Sequence, residues 1–327
     1  MMLSLSDTLD FGPTLDVAAR SSASASTLVI PENQDNLVLI DATGRAVILR
    51  NQQQAVAHVP NWPAGHVRLA VLDGMGGHGH GRQAAEAAAD GILHIPACRD
   101  QQELDSRLDT LHHELQVLFA ADDDEHRERR PGTTLTLLEL RPGQAPLLYH
   151  VGDSRLYEVS GHEIRPLTVD HVPATAFVMT GHLDEMDWWQ QVHGEHRPQI
   201  SQAFILGNAF GDQHTLADEL APLDQRNLPP FLGHLADRRA LQPRHDAVYL
   251  LATDGFWACA QPAEWVTQWP ALFGGPTPAG TVLRRLFDNF VGSPPPGLHI
   301  DNLTAIALRF KPHDAAPNID ETALPES

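Results

Sequence analysis

The chain has 327 residues, of which 42 are aspartate or glutamate and 22 are lysine or arginine, so its formal net charge at pH 7 is −20. So acidic a surface is repelled by phosphodiester backbones and anionic lipids, which argues against nucleic acid or a membrane as the main partner. The apolar content of 42% is typical of a globular protein that is long enough to bury a large core.

The sequence carries no recognisable export or membrane signal. No apolar run approaches the roughly 20 residues that a helix needs to cross a bilayer, and the N-terminal segment has acids where a secretory signal has basic residues. Two cysteines, Cys98 and Cys259, make neither a disulfide framework nor metal-ligand spacing. These features predict a cytoplasmic protein with ordinary buried thiols.

The first part of the chain predicts short strands and then a helix. Residues 1–26 are rich in serine, alanine and aspartate without clear periodicity, which predicts a loosely ordered lead-in. The stretch LVLIDATGRAVIL is typical of a hairpin that turns at Thr43-Gly44, and the long segment 41–66 enlarges it. The run VRLAVLD predicts a strand that ends at Asp73, and the alanine-rich stretch after it predicts a helix that begins near Gly81.

A second helix follows, with a clearer pattern. The stretch DQQELDSRLDTLHHELQVLF opens with Asp100 and Glu103 at capping-box spacing. Leucines then recur at alternating steps of four and three residues, which predicts one apolar face packed against a sheet. These leucines are Leu104, Leu108, Leu111, Leu115 and Leu118.

The middle of the chain predicts an antiparallel meander and then a helical region. The meander has three short strands, with turns at Pro142-Gly143 and Ser160-Gly161. The region from about 171 to 213 is predicted to be mostly helical and contains Trp188 and Trp189. These tryptophans are interpreted as packing anchors of a small helical lobe, with contact to a partner protein as the alternative.

The last part of the chain repeats the alternation of strand and helices. The run AVYLLATDGFW predicts a strand that ends at Asp254, two helical patterns follow, and DNLTAIALRF predicts a final strand. Residues 312–327 are polar and contain prolines, which predicts a disordered tail. Hairpins alternating with helix pairs favour an α+β layering over a parallel βαβ fold.

Five aspartates share one local context, the junction of an apolar strand and a turn. Because the strands of one sheet end on a common edge, these carboxylates are able to converge in one cleft. Two like charges about 4 Å apart cost roughly 4 kcal/mol at an effective dielectric near 20, so such a group either takes up protons or holds cations. Oxygen ligands favour Mg²⁺ or Mn²⁺, and a pair of such ions activates water for in-line displacement at phosphorus. The five are Asp35, Asp73, Asp153, Asp254 and Asp301.

The simpler interpretation is that each Asp-Gly pair is only a turn, because this dipeptide is common in turns. Five matching contexts make five independent turns a poor explanation. The residues by themselves leave both interpretations open.

In order and spacing, the motifs resemble the metal-dependent type 2C serine/threonine protein phosphatases, the PPM family, and in particular its bacterial members. The acidic motif NQDN comes first, and DGMGGHGHG is similar to the aspartate-glycine motif of the family. The resemblance covers 27–310, most of the chain, and seven ordered motifs carry much more weight than one. The other five motifs are GTTLTLLEL, VGDSRLY, LTVDH, LLATDGFW and DNLTAIAL.

The resemblance implies an αββα sandwich, in which two antiparallel β-sheets are flanked by antiparallel helix pairs and a metal site lies at one edge. It implies a catalytic domain over 27–311, with a flap at about 172–213 beside the cleft, and two or three bound Mn²⁺ or Mg²⁺ ions. The implied ligands are Asp35 and the carbonyl of Gly74 for one ion, Asp254 and Asp301 for another, Asp153 with Asp254 for a third, and Asp73 bridging the first two.

Two positions depart from the family pattern. The family commonly has an arginine five residues before the NQDN aspartate, where it clamps the substrate phosphate, and this chain has Ile30 there. Eukaryotic members carry a histidine at the position of Met75, so His78 is the nearest residue to protonate the leaving oxygen. The alternative for His78 is a turn histidine that only makes local hydrogen bonds.

The resemblance therefore implies a protein phosphatase that hydrolyses phosphoserine and phosphothreonine by direct in-line attack of a metal-bridging hydroxide. Phosphorylated proteins, a cognate serine/threonine kinase and the targets of that kinase are the implied partners. Ile30 leaves open a pseudophosphatase that binds phosphorylated partners without turnover, and hydrolysis of a small phosphorylated metabolite is a third possibility.

Overall fold

A computed structural model describes residues 5–23, 32–76, 80–120, 130–211, 216–273 and 277–311. Within these ranges the chain forms sixteen strands and seven α-helices. The strands are β1 (Leu15–Ser22), β2 (Asn36–Ile40), β3 (Arg45–Arg50), β4 (Gln53–His58), β5 (Val67–Leu72), β6 (Gly74–Met75), β7 (Gly132–Thr133), β8 (Leu135–Leu140), β9 (Leu147–Val151), β10 (Arg155–Val159), β11 (Ile164–Pro166), β12 (Gln202–Ala203), β13 (Gly207–Asn208), β14 (Arg238–Ala240), β15 (Val248–Ala252) and β16 (Leu303–Phe310). The helices are α1 (His80–His94), α2 (Gln101–Ala120), α3 (Pro173–Met179), α4 (Glu185–Trp189), α5 (Pro262–Val266), α6 (Trp269–Phe273) and α7 (Ala279–Gly292).

Two large antiparallel sheets face each other. One has seven strands in the order β14-β9-β8-β5-β2-β3-β4, and the other has five in the order β1-β16-β15-β10-β11. Strands β2, β5, β8 and β9 have only buried residues, as expected for strands covered on both faces. The predicted αββα sandwich is confirmed.

Alternating residues along the strands divide the core into layers. Leu37 and Leu69 lie between the two sheets, whereas Val38 and Ala70 lie on the opposite face, under α1 and α2. A third layer packs α5, α6 and α7 against the outer face of the five-stranded sheet, with Trp269 fully buried in it. Both cysteines are buried and free, as predicted.

The predicted hairpins and turns are present. Strands β2 and β3 turn at Thr43-Gly44, and β3 continues into β4 through Asn51 and Gln52, whose positive φ values suit a tight hairpin turn. The segment 41–66 is therefore an enlarged hairpin that extends the seven-stranded sheet by one edge strand. Helix α2 begins as predicted, since the Asp100 side chain accepts a hydrogen bond from the Glu103 N–H at 2.9 Å.

Three sequence predictions are corrected by the structure. Residues 15–22 are not loose, because they form β1 and pair along their whole length with β16, with Leu15 and Val17 directed into the core. Leu118 is 59% exposed, since Phe119 takes the core-facing position in the last turn of α2. The region 171–213 is only partly helical: α3, α4 and a π-helical turn end at Gly194, and short strands follow.

Trp188 is the anchor of a separate small core under the flap. Its side chain is fully buried among Val192, Leu232 and other apolar residues, and its indole N–H donates to the Thr175 hydroxyl at 3.1 Å. The packing interpretation of Trp188 is confirmed. Among the described residues, no helix is both long and apolar enough to cross a membrane.

Candidate metal centre

The sandwich brings distant aspartates to strand ends that contact each other. Asp35 comes directly before β2, and its Oδ2 accepts a hydrogen bond from the hydroxyl of Thr253, which follows β15 in the other sheet, at 2.9 Å. Asn302, just before β16, accepts a hydrogen bond from the Gln34 N–H at 2.7 Å. These bonds hold Asp35 beside the segments that carry Asp254 and Asp301.

Asp73 is held at the end of β5 by Thr134. The Thr134 hydroxyl accepts from the Asp73 N–H at 2.9 Å, and the Thr134 N–H donates to the Asp73 carbonyl at 2.8 Å. Of the paired threonines in the sequence motif, Thr133 ends β7, whereas Thr134 lies between β7 and β8 and fixes the backbone of this aspartate.

The carboxylates lie close enough to raise one another's pKa. Burial raises the pKa of Asp35 well above its usual range, and the charges of Asp301 and Asp254 raise it further. Burial also raises the pKa of Asp73, followed by the charges of Asp35, Asp254, Asp301 and Asp153. Asp73 therefore lies near enough to the other four aspartates for their charges to raise its pKa.

Asp153 and Asp301 show the same effect. Burial and then the charge of Asp254 raise the pKa of Asp153 well above its usual range. Burial and then Asp254 raise the pKa of Asp301 to about 6, although the nearby His196 lowers it. A set of neighbouring carboxylates is unfavourable when every member is ionised, and bound cations stabilise it.

Gly74 and Gly81 let two segments of backbone pack closely together next to Asp73. A Cβ at Gly81 would lie 2.6 Å from the Gly74 carbonyl oxygen and 2.9 Å from Gln34 Oε1. A Cβ at Gly74 would lie 2.2 Å from the Gly81 carbonyl oxygen, so neither position tolerates a side chain. The Gly74 carbonyl therefore lies against Gly81 and near the Gln34 side chain, a close approach that only glycine permits.

The donor set fits hard divalent cations. Its members are carboxylate and carbonyl oxygens, which Mg²⁺ and Mn²⁺ prefer. Asp35 Oδ1 is buried and has no hydrogen-bond partner among the described residues, which is costly unless a ligand satisfies it. Across the described ranges, however, no three His, Cys, Asp or Glu side chains already converge on one point. The carboxylates are neighbours, and ions with their waters would complete the site.

A small pocket of about 100 Å³ lies between the centre and the flap. Asp153 and Asp254 line it from the sandwich, and His196 lines it from the flap. Arg155 lies behind it, where its guanidinium donates to Asp170 at 2.7 Å and to the Val192 carbonyl at 2.7 Å.

Arg155 therefore ties the flap to β10. His196 was missed by the sequence analysis, because nothing in its local sequence marks a site. Only its long-range position beside Asp254 identifies it.

Two residues singled out in the sequence, Ile30 and His78, lie outside the described residues. Their roles therefore stay sequence predictions. His171, by contrast, is fully buried; its N–H donates to the Gly152 carbonyl and its carbonyl accepts from the Ser201 N–H, so it orders local backbone.

Comparison with known sequences gives one family. The model of the family described as Protein phosphatase 2C matches residues 49–272. The chain is 32% identical over 146 residues to Protein phosphatase PhpP of Streptococcus pneumoniae, a match that covers 41% of this chain and 54% of that protein. The chain thus spans about half the length of the curated relatives it matches.

Comparison with solved structures gives the same fold. The PPM Ser-Thr phosphatase MsPP from Mycobacterium smegmatis, in complex with cacodylate, is similar with a TM-score of 0.58 and 21% identity, over 91% of this chain and 100% of that chain. The catalytic domain of the serine/threonine protein phosphatase PstP, in complex with two manganese ions, is similar with a TM-score of 0.55 and 20% identity, over 91% and 99% of the two chains. At these identities the likeness shows the fold.

Proposed function

Because the chain belongs to the protein phosphatase 2C family, we propose that it is a metal-dependent phosphatase that hydrolyses phosphoserine and phosphothreonine in proteins. The observation that carries this proposal is a group of buried and partly buried aspartates at strand ends, whose neighbouring charges raise the pKa of Asp35, Asp73 and Asp301. A module that only binds a partner gains nothing from so much uncompensated charge, whereas a centre for hard cations requires it.

The proposed ligands follow the positions in the structure. The charges of the other four aspartates all raise the pKa of Asp73, which suits a carboxylate in the middle of the group and therefore a bridging ligand. Asp35 offers a buried oxygen that has no partner among the described residues, and Gly74 offers a carbonyl that faces Gly81 instead of a side chain. We assign the ligands as Asp35, Asp73, the carbonyl of Gly74, Asp153, Asp254 and Asp301, for two or three Mn²⁺ or Mg²⁺ ions.

Such ions, when bound, neutralise the carboxylates, lower the pKa of water and offset the negative charge on the phosphoryl group. The residues of the chain supply preorganisation. Thr253 fixes one oxygen of Asp35, and Thr134 fixes the backbone of Asp73, so that both carboxylates are placed before substrate arrives. The proposed reaction is a direct in-line displacement by water, which needs no nucleophilic side chain and forms no phosphoenzyme.

His78 is the proposed proton donor to the leaving oxygen. A serine or threonine alkoxide is a poor leaving group and needs a proton, whereas an aryl oxide does not. The variant His78→Gln should therefore lose about 100-fold or more in kcat on a phosphothreonine peptide and far less on an aryl phosphate. Equal losses on both substrates would remove His78 from this role.

Activity is tested with Mn²⁺, an aryl phosphate and a phosphothreonine peptide. The protein should hydrolyse both, and Asp254→Ala should lose at least about 100-fold in kcat/KM. Asp246→Asn is the matched control, because Asp246 is an exposed aspartate paired with Arg244. No turnover above the Asp254→Ala background, at any Mn²⁺ concentration, would refute the proposal.

Adding a phosphopeptide-binding measurement and a panel of phosphorylated metabolites separates the two alternatives, the pseudophosphatase suggested by Ile30 and the metabolite phosphohydrolase. A protein that binds phosphopeptide without turnover would be a pseudophosphatase. A protein that prefers small phosphorylated metabolites by orders of magnitude in kcat/KM would be a metabolite phosphohydrolase.

We extend the proposal to partners and location. A cytoplasmic serine/threonine kinase and its phosphorylated targets are the proposed substrates, since such enzymes oppose one another in signalling. The test is dephosphorylation of a kinase-treated cytoplasmic extract, with phosphoserine and phosphothreonine measured by mass spectrometry. Loss of phosphate from neither residue would contradict it.

A further inference from the structure

His196 reaches from the flap toward the candidate centre and is not satisfied there by other protein groups. Its side chain is only 10% exposed. Both ring nitrogens are buried and have no hydrogen-bond partner among the described residues. A buried polar side chain left in this state costs free energy, so its position indicates a ligand that the protein groups do not supply.

An oxygen of Asp254 lies close to the His196 ring. His196 Nε2 lies 3.6 Å from Asp254 Oδ2. This separation is too long for a hydrogen bond, which for N–H···O lies at roughly 2.7–3.2 Å. Two donor atoms that bind one cation at roughly 2.0–2.2 Å lie about 3.0–3.6 Å apart, depending on the angle between them. The observed separation is at the upper end of the range for shared coordination.

The charged groups around His196 are already engaged elsewhere. Arg197 pairs with Glu195 at 2.7 Å, and Arg155 is held by Asp170. The His196 ring also packs against His299, with 5.3 Å between ring centroids and the rings tilted by 41°, a contact that satisfies neither nitrogen. Asp153 lines the same pocket as His196 and Asp254.

We propose that His196 is a nitrogen ligand, supplied by the flap, of the cation held by Asp153 and Asp254. This inference rests on the proposed metal centre. It gives the flap a direct bond to that centre, so that the occupancy of this ion and the position of the flap are coupled. A histidine ligand also makes this site prefer Mn²⁺ over Mg²⁺, because imidazole binds transition metals such as Mn²⁺ better than it binds Mg²⁺.

The decisive measurement is electron spin echo envelope modulation of the Mn²⁺-loaded full chain. A directly bound imidazole nitrogen modulates the echo of Mn²⁺, and this readout does not depend on activity. The wild type should show the nitrogen modulation, His196→Asn should lose it, and His299→Asn should keep it. His299 is the matched control because it is an exposed histidine whose ring packs against the His196 ring.

Each other outcome overturns the proposal. Mn²⁺ that binds without nitrogen modulation in the wild type excludes a histidine ligand while leaving the phosphatase proposal intact. Modulation that persists in His196→Asn assigns the nitrogen to another histidine. A chain that binds no Mn²⁺ at all overturns both this inference and the proposed metal centre.

A binding titration gives an independent second test. His196→Asn should weaken the weakest Mn²⁺ site about tenfold or more and change Mg²⁺ affinity by less than about threefold. Equal losses for both ions, or no loss for either, would contradict a specific nitrogen ligand.

Discussion

Replacing Asp301 with asparagine should stabilise the metal-free protein and weaken its response to metal. The substitution removes one charge, while the amide oxygen can still accept the hydrogen bond that Asp301 Oδ1 receives from the Asn302 N–H at 2.8 Å. Burial and the charge of Asp254 raise the pKa of Asp301 from 3.8 to about 6. A rise of this size corresponds to about 3 kcal/mol of unfavourable ionisation at pH 8, which is an upper value because Asp301 is partly exposed.

The sign of the pH dependence follows from the raised pKa. The folded protein holds the Asp301 proton more tightly than the unfolded chain does, so stability from this group is present at low pH and is lost as pH rises through about 6. In EDTA at pH 8, Asp301→Asn should therefore unfold at a higher temperature than the wild type, by about 2–6 °C. At pH 4 the difference should shrink, because the wild-type carboxyl is then largely protonated.

Asp105→Asn is the matched control. Burial also raises the pKa of Asp105 to about 6, but this residue lies on α2, outside the centre, where its Oδ1 accepts from Gln101. Both variants should be stabilised in EDTA at pH 8. With saturating Mn²⁺, Asp105→Asn should keep the full gain in Tm and Asp301→Asn should lose much of it. Equal gains from Mn²⁺, or an Asp301→Asn variant less stable than wild type in EDTA at pH 8, would refute the reasoning.

Three further predictions concern the packing, the protons and the flap anchor. Gly81→Ala should weaken Mn²⁺ binding about tenfold or more, because its Cβ would meet the Gly74 carbonyl oxygen at 2.6 Å. Gly161→Ala is the control, since a Cβ there meets open space, and it should leave Mn²⁺ binding unchanged. Equal Mn²⁺ affinities of the two variants by calorimetry would contradict this. Mn²⁺ binding should release more protons at pH 6 than at pH 8, because carboxyls with raised pKa values are still partly protonated at the lower pH. Calorimetry in buffers of different ionisation enthalpy measures the number of protons released. The same proton release at both pH values would count against the prediction. Asp170→Asn should lower the free energy of unfolding, measured with urea, by about 3–5 kcal/mol, because it leaves the buried charge of Arg155 without its partner. A loss below about 1 kcal/mol would contradict this expectation.

Much of the fold could be predicted from local sequence. The spacing of the α2 leucines is a property of a few helical turns, and the Asp100 cap depends only on its next three residues. The aspartates could be predicted as a group because each follows or precedes an apolar strand, and strand ends meet at sheet edges. These features depend on short stretches of chain, where periodicity and turn chemistry are informative.

Other features depend on distant partners and could not be read from the sequence. Strand β1 looks like a loose serine- and alanine-rich segment, because an edge strand needs apolar residues only at alternate positions. Arg68 interrupts an apolar run but is fully buried, since it binds Glu139 and caps the C-terminal end of α1 through the Ile92 and Ile95 carbonyls. No local pattern pairs such an arginine with partners so far along the chain.

The central claim is that Asp73, Asp254 and Asp301 share bound cations at the edge of the sandwich. Anomalous scattering from crystals soaked in Mn²⁺ tests it most directly, because it counts the ions and identifies their ligands without reference to activity. We expect at least two manganese peaks among these three carboxylates, with a side-chain oxygen of Asp73 bound to both ions. Crystals that diffract well and show no manganese within bonding distance of these aspartates would contradict the account.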